Sequence, residues 1–173
     1  RDVLQFLPGV FDQKIRKIVM NKSYRNTMEI ARYAEKLTGV KDVELLKRHG
    51  KEVVEEQFQT EDAVLDEILS KAKLGEDEYE TAAIITMTEA EASTLYQILK
   101  ARGEEVHYID RNSSVFKKGL TVTTFYLAKG LEFDQVFGIF EEDRESGLQC
   151  QAKYITATRA LHELHMYMTD TSK

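Results

Sequence analysis

Arg159 stands on the apolar side of what reads as a helix, and a cation there needs a reason. Leu148, Ala152, Ile155 and Arg159 recur at i, i+4, i+7 and i+11, the spacing of one helical stripe. A guanidinium on a core-facing stripe is costly without a partner. Either it pairs with an internal carboxylate, or it emerges at the helix end and points across a cleft; the residues alone leave both open. A second segment, Asn21-Lys22-Ser23-Tyr24-Arg25-Asn26-Thr27, follows the apolar run Ile18-Val19-Met20 and opens another helix. Ligands of α/β sheets gather at the carboxyl ends of strands. An arginine there can present its planar fork to phosphate oxygens, and Tyr24 can stack on a base. A surface arginine beside a half-buried tyrosine is the plain alternative. A third segment runs from Thr121 to Val136 and reads as strand, tight turn at Ala128-Lys129-Gly130, strand. Gly130 lets backbone approach a ligand closely. Glu132 could accept hydrogen bonds from ribose hydroxyls, and Lys129 could meet a phosphate or close an ion pair. Its plain alternative is an ordinary turn with solvated charges.

The elements that must position these residues alternate. A strand is expected at 17–21 and a helix from Asn26, where Asn26 and Glu29 have capping-box spacing. Ile30, Ala34 and Leu37 share that helix's inner face, and Gly39 ends it. Further strands are expected at 53–58, 82–85, 106–109, 120–125, 135–140 and 164–169. Helices are expected at 61–73, after Thr88 with Glu91 as a capping box, and at 147–161. Strands alternating with helices give a parallel sheet covered on both faces. The short apolar run Ala82-Ala83-Ile84-Ile85 marks a central strand.

Composition excludes several classes. At 173 residues, 42% apolar and 31% charged, the chain suits one ordinary globular domain with a full core. No run of eighteen apolar residues occurs, so no membrane span is expected. Cys150 is the single cysteine, which excludes an intrachain disulfide and a zinc cluster and fits a reducing, cytoplasmic setting. The start, Arg1-Asp2-Val3-Leu4, has neither an initiator Met nor a signal-peptide layout and reads as a cut inside a longer protein. Net charge is −6, which by itself argues against nucleic acid. Its distribution is uneven: residues 1–51 carry a balance of +6, 52–105 of −11 and 106–173 of −1. The first third could face phosphates, while the acidic middle could repel DNA or face a protein.

Together the segments resemble the UvrD/Rep-type superfamily-one DNA helicases. Ser23-Tyr24-Arg25-Asn26-Thr27 is similar to their motif IV, Ala128-Lys129-Gly130-Leu131-Glu132-Phe133 to motif V, and Tyr154-Ile155-Thr156-Ala157-Thr158-Arg159-Ala160 to motif VI. They occur in family order and span residues 18–168. Tyr126 to Asp134 and Thr158 to Leu164 look most like the HelD-like, helicase IV-like branch. The resemblance implies a RecA-like, P-loop-NTPase-like three-layer α/β domain with a mainly parallel sheet, the C-terminal motor domain of a longer protein. It implies that Arg25 and Arg159 reach the ATP γ-phosphate as arginine fingers. It implies that Tyr24 stacks near adenine, that Gly130 and Glu132 touch the nucleotide, and that Thr124, Tyr126 and Lys129 contact single-stranded DNA. The implied partners are an N-terminal motor domain of the same chain and single-stranded or partly duplex DNA; some HelD-like proteins act instead on RNA polymerase. This chain departs from the pattern at Tyr126, where motif V commonly has His, at Ser23, where motif IV has Asn, and in residues 146–153, which lack the usual Glu and Arg. About ninety residues separate motifs IV and V, and they already read as helices and strands, so no accessory insertion is expected there.

No Gly-x-x-x-x-Gly-Lys-Ser/Thr phosphate loop occurs in the chain, and no acidic pair closing an apolar strand stands out as a magnesium site. ATP and Mg2+ are therefore expected to be held chiefly by the N-terminal motor domain. It follows that these 173 residues alone should neither bind ATP tightly nor hydrolyse it; measurable ATPase activity from the isolated chain would overturn this expectation.

Overall fold

Ala82, Ala83, Ile84 and Ile85 are all fully buried, as a strand covered on both faces requires. They form the centre of β2 (Thr81–Thr86). The computed structural model describes residues 26–39, 50–112, 118–141 and 146–170. Within these, β1 (Val54–Phe58), β2, β3 (Val106–Tyr108), β4 (Gly119–Thr124), β5 (Phe133–Glu141) and β6 (Ala160–Thr169) form a six-stranded sheet in the order β1-β6-β5-β2-β4-β3. Every neighbouring pair is parallel. The helices are α1 (Met28–Thr38), α2 (Glu61–Lys71), α3 (Glu89–Ala101) and α4 (Gly147–Thr158).

The helices divide between the two faces. One core joins Ile30 and Ala34 of α1 and Ala152 and Ile155 of α4 to Ala83, Ile85, Val136 and Leu164. The other joins Val64, Leu65 and Ile68 of α2 and Leu95 and Leu99 of α3 to Ala82, Ile84, Phe137 and Tyr167. Strict alternation would put Phe133 on the same face as Phe137. A register irregularity between Phe133 and Gln135 lets Phe133 join Val136 and Phe140 instead, since one extra residue inverts the face.

Several expectations shift. The expected strand at 17–21 lies outside the described residues. Asn26 does not cap α1. The cap is Thr27, whose hydroxyl accepts from Ile30 N–H, while Glu29 accepts from Gly50 N–H at 2.8 Å. Gly39 ends α1 in the left-handed conformation, φ 72°. The Thr88–Glu91 capping box is present in full. The last helix stops at Thr158 rather than 161, and β6 starts at Ala160. Phe133 N–H donates to Arg159 O at 2.8 Å, so pairing with β5 draws residues 160–163 into the sheet. Leu148 belongs to no buried stripe; it is 57% exposed.

The expected tight turn at Ala128-Lys129-Gly130 forms, Leu131 N–H donating to Ala128 O at 3.0 Å, but the strands it joins are not neighbours. β4 and β5 lie on either side of β2 and parallel to it, so the chain must return along the sheet from the end of β4 to the start of β5. It does so through the core of the α1/α4 face, where Phe125 and Ala128 are buried. Gly130, at φ 83°, supplies the left-handed residue in this return.

Gly138 in β5 leaves no room for a side chain between its sheet neighbours and α4. A Cβ there would lie 2.9 Å from Phe140 Cε2, 3.0 Å from Met166 Sδ and 3.1 Å from Thr156 Cγ2. Gly138→Ala should therefore destabilise the domain by about 1–3 kcal/mol through overpacking, seen as a lower urea midpoint with an unchanged denaturant slope.

Candidate functional site

The end of α4 fixes where Arg159 can act. Arg159 is the C-cap, its N–H donating to Thr156 O at 3.1 Å, and Ala160 then enters β6. This places Arg159 at the amino end of the strand, the opposite edge from the one where single α/β domains gather ligands. A helix C-terminus carries partial negative charge, which suits a cation. Arg159 is only 5% exposed. Its Nη2 donates to Thr158 Oγ1 at 3.2 Å, and its Nε has no hydrogen-bond partner. Burial pushes its pKa down, and the charge of Glu132 opposes that shift. No carboxylate pairs with it directly among the described residues. Of the two options left open by the sequence, an internal ion pair is not formed there, and the side chain sits at the helix end within a covered site.

Glu132 is brought to the same place because Phe133 pairs with Ala160. The segments 128–133 and 154–160 therefore end at adjacent strand starts. Asn26 joins them: it is 3% exposed, and its side-chain amide donates to the Ala160 carbonyl. Asn26 thus meets the sheet at the amino end of β6. Tyr24 and Arg25 lie outside the described residues. Lys129 and Gly130 are exposed on the return segment.

Thr124 and Tyr126 lie at the other end of the sheet, where β4 finishes. Thr124 is fully buried; its hydroxyl accepts from Leu127 N–H at 3.3 Å, so it shapes the turn. Tyr126 is half-buried and packs edge-on to Phe125 with ring centroids 5.3 Å apart. Its hydroxyl donates to Glu89 Oε2 at 2.9 Å, and Arg111 Nη2 lies 3.3 Å from the same oxygen. β5 also ends on Glu141, followed in sequence by Glu142 and Asp143. This is an acidic end to an apolar strand that the sequence reading passed over. Among the described residues, no group of three metal-ligating side chains is assembled.

A polar cluster that the sequence reading missed lies on the α2/α3 face of β5 and β6. Glu163, 3% exposed, accepts from Gln135 Nε2 at 3.2 Å and contacts His165 Nε2 at 3.2 Å. Lys51 and Lys73 reach its other oxygen at 3.2 and 3.7 Å. Gln135 also accepts from Lys73 N–H and donates to Lys71 O, satisfying the end of α2. The available signal was Glu163 and His165 two apart in an otherwise apolar strand.

The C-terminal domain of a possible DNA helicase from Lactobacillus plantarum WCFS1 is similar at 27% sequence identity and a TM-score of 0.65, over 84% of this chain and 86% of that one. The fold is that of a helicase C-terminal domain. The arterivirus nonstructural protein 10 helicase is similar at 14% identity and a TM-score of 0.45, and its complex with DNA at 15% and 0.44. Each match takes in 68% of this chain and little more than a quarter of the viral one. No protein-family model and no curated protein sequence matches the chain. The helicase-like domain is α/β with a parallel sheet, as expected, and among its described residues no helix is long and apolar enough to cross a membrane.

Burial alone would raise the Glu163 carboxyl, but hydrogen bonds from His165, Tyr79, Gln135 and Lys51 bring it down to about 2. An exposed glutamate titrates near ~4.3. The stabilisation from Glu163 is therefore complete above that value and is lost as pH falls through about 2, on the order of 3 kcal/mol in total. Burial pushes His165 down from its ordinary value, so the unfolded chain takes up its proton first and stability already begins to fall below about pH 6.5. In urea melts between pH 7 and 2, Glu163→Gln should lower the plateau and flatten the fall below about pH 4.5; equal slopes for both proteins would refute the assignment.

Proposed function

We propose that this chain is the C-terminal motor domain of a UvrD/Rep-type DNA helicase or translocase of the HelD-like branch. The observation that carries the reading is Arg159: a buried guanidinium with an unmatched Nε–H, no directly paired carboxylate among the described residues, and a place at the amino edge of the sheet. An unmatched buried donor is costly, and an anion supplied from outside the domain would match it. A guanidinium is the group suited to phosphate oxygens. The similar bacterial domain, described as the C-terminal domain of a possible DNA helicase, supports the same reading.

In this proposal ATP and Mg2+ are held by an N-terminal motor domain of the same chain, which carries the phosphate loop absent here. Bound ATP supplies the γ-phosphoryl group transferred to water. Arg159 stabilises charge developing on that group, and Arg25 is assigned the same task from motif IV. Glu132, beside Arg159, orients the ribose, with Gly130 giving close backbone approach and Tyr24 stacking on the base. Tyr126 and Lys129, with Thr124 shaping their turn, face single-stranded DNA. Because residues 125–132 run the length of β2, a displacement of Glu132 and Arg159 on cleft closure is passed along one continuous packed segment to Tyr126.

A second reading, a HelD-like ATPase acting on RNA polymerase, draws support from the acidic surface. Glu76, Glu80 and Glu105 line one depression with Tyr79, His107 and Lys118; Lys118 pairs with Glu80 at 3.4 Å, and the remaining acidic excess suits a basic protein partner. Stable co-purification with polymerase, without salt-dependent binding to single strands, would favour it.

In the full-length protein carrying this domain, Arg159→Ala should cut ATP hydrolysis by about 10³ or more. Near-normal turnover would remove the arginine from the mechanism. Tyr126→Ala should weaken single-strand binding by about 10–100-fold if its ring stacks on a base; unchanged affinity in a fluorescence titration would take Tyr126 out of the track.

A further inference from the structure

With no carboxylate among the described residues paired to its guanidinium, Arg159 is aimed by the peptide that launches it. That peptide is held from two directions. The Arg159 carbonyl accepts from Phe133 N–H, an ordinary ladder bond of the sheet. The Ala160 carbonyl, one residue on, accepts from the Asn26 side chain. Asn26 is itself immobilised. Thr27 caps α1 beside it, and a Cβ on Gly50 would come within 2.5 Å of Thr27 Cγ2, so the 50–51 backbone is pressed against the cap. Glu29 accepts from Gly50 N–H on the same turn, and α1 packs on α4 through Ile30, Ala34 and Ala152.

We propose that Asn26 is a positioning residue for Arg159: its amide clamps the Ala160 carbonyl and so fixes the peptide from which the guanidinium projects. The assignment rests on the reading of Arg159 as the group that meets the nucleotide. Helix α1 contributes to the site through this one amide, which carries the order of the α1 cap into the turn between α4 and β6. Loss of the donor leaves the sheet ladder intact but frees one side of the turn. A misplacement of about 1 Å in a group that stabilises a transition state is worth on the order of 10² in rate.

The test is a double-mutant cycle on ATP hydrolysis in the full-length protein, with Asn26→Asp, Arg159→Ala and the pair. Asn26→Asp keeps the shape and removes the donor. The expected result is a fall in kcat of about 10-fold or more with KM for ATP within about 2-fold, and no further fall when the change is added to Arg159→Ala. A merely structural amide would lower the rate by the same factor in both backgrounds, and that outcome overturns the proposal, as does unchanged kcat in the single variant. If Arg159→Ala leaves turnover intact, the reading of Arg159 fails and the positioning role goes with it, a result distinct from additivity. Thermal melts accompany each variant. Should Asn26→Asp not fold, Asn26→Ser enters the same cycle.

Discussion

β4 and β5 run parallel on opposite sides of β2, and much else follows from that constraint. A parallel pair cannot be joined by a hairpin, so the chain between them has to travel back along the sheet. The return, residues 125–132, is packed into the α1/α4 core by Phe125 and Ala128. It begins with Tyr126 at one edge and ends with Glu132 at the other. Two groups six residues apart in sequence are thereby held at opposite ends of the sheet by a single buried segment.

The same parallel rule explains the position of Arg159. α4 connects β5 to β6, so its C-terminus must arrive at the amino end of β6. The cation there is stabilised by the helix end and by the field of Glu132, yet its Nε is unmatched. A domain serving its own phosphate ligand would use a helix N-terminus at the carboxyl edge. A cation at the amino edge is suited to an anion held by another body. The polar investment nearby contrasts with it: Glu163, on the opposite face of β6, is surrounded by Gln135, His165, Lys51 and Lys73. One buried charge is neutralised by side chains of the fold, and the other meets no carboxylate directly among the described residues.

Local signals proved reliable where one interaction decides the outcome. The Thr88–Glu91 capping box, the Gly39 stop and the buried run of β2 all read directly from the residues. The reading slipped where a local preference competes with a distant partner. Asn26 has cap spacing, but Thr27 takes that role and Asn26 reaches a carbonyl 134 residues away. Residues 160–161 were expected to continue the helix, but pairing with β5 draws them into β6. Glu163 could not be placed in a network because its partners come from four separate segments. Of the site, Glu132 lies close enough to Arg159 for its charge to act on it, while Arg25 and Tyr24 lie outside the described residues.

By itself the sequence determined the alternation of strands and helices, because periodicity and caps act over a few residues. It also determined the absence of a phosphate loop in this chain and the order of three helicase-like segments. Only the tertiary structure decided which sheet edge each described segment reaches, that residues 125–132 return along the sheet between strands that are not neighbours, and that Asn26 meets the Ala160 carbonyl. Those outcomes depend on strand order and register, which arise from long-range pairing and burial and leave no periodic mark on the residues involved.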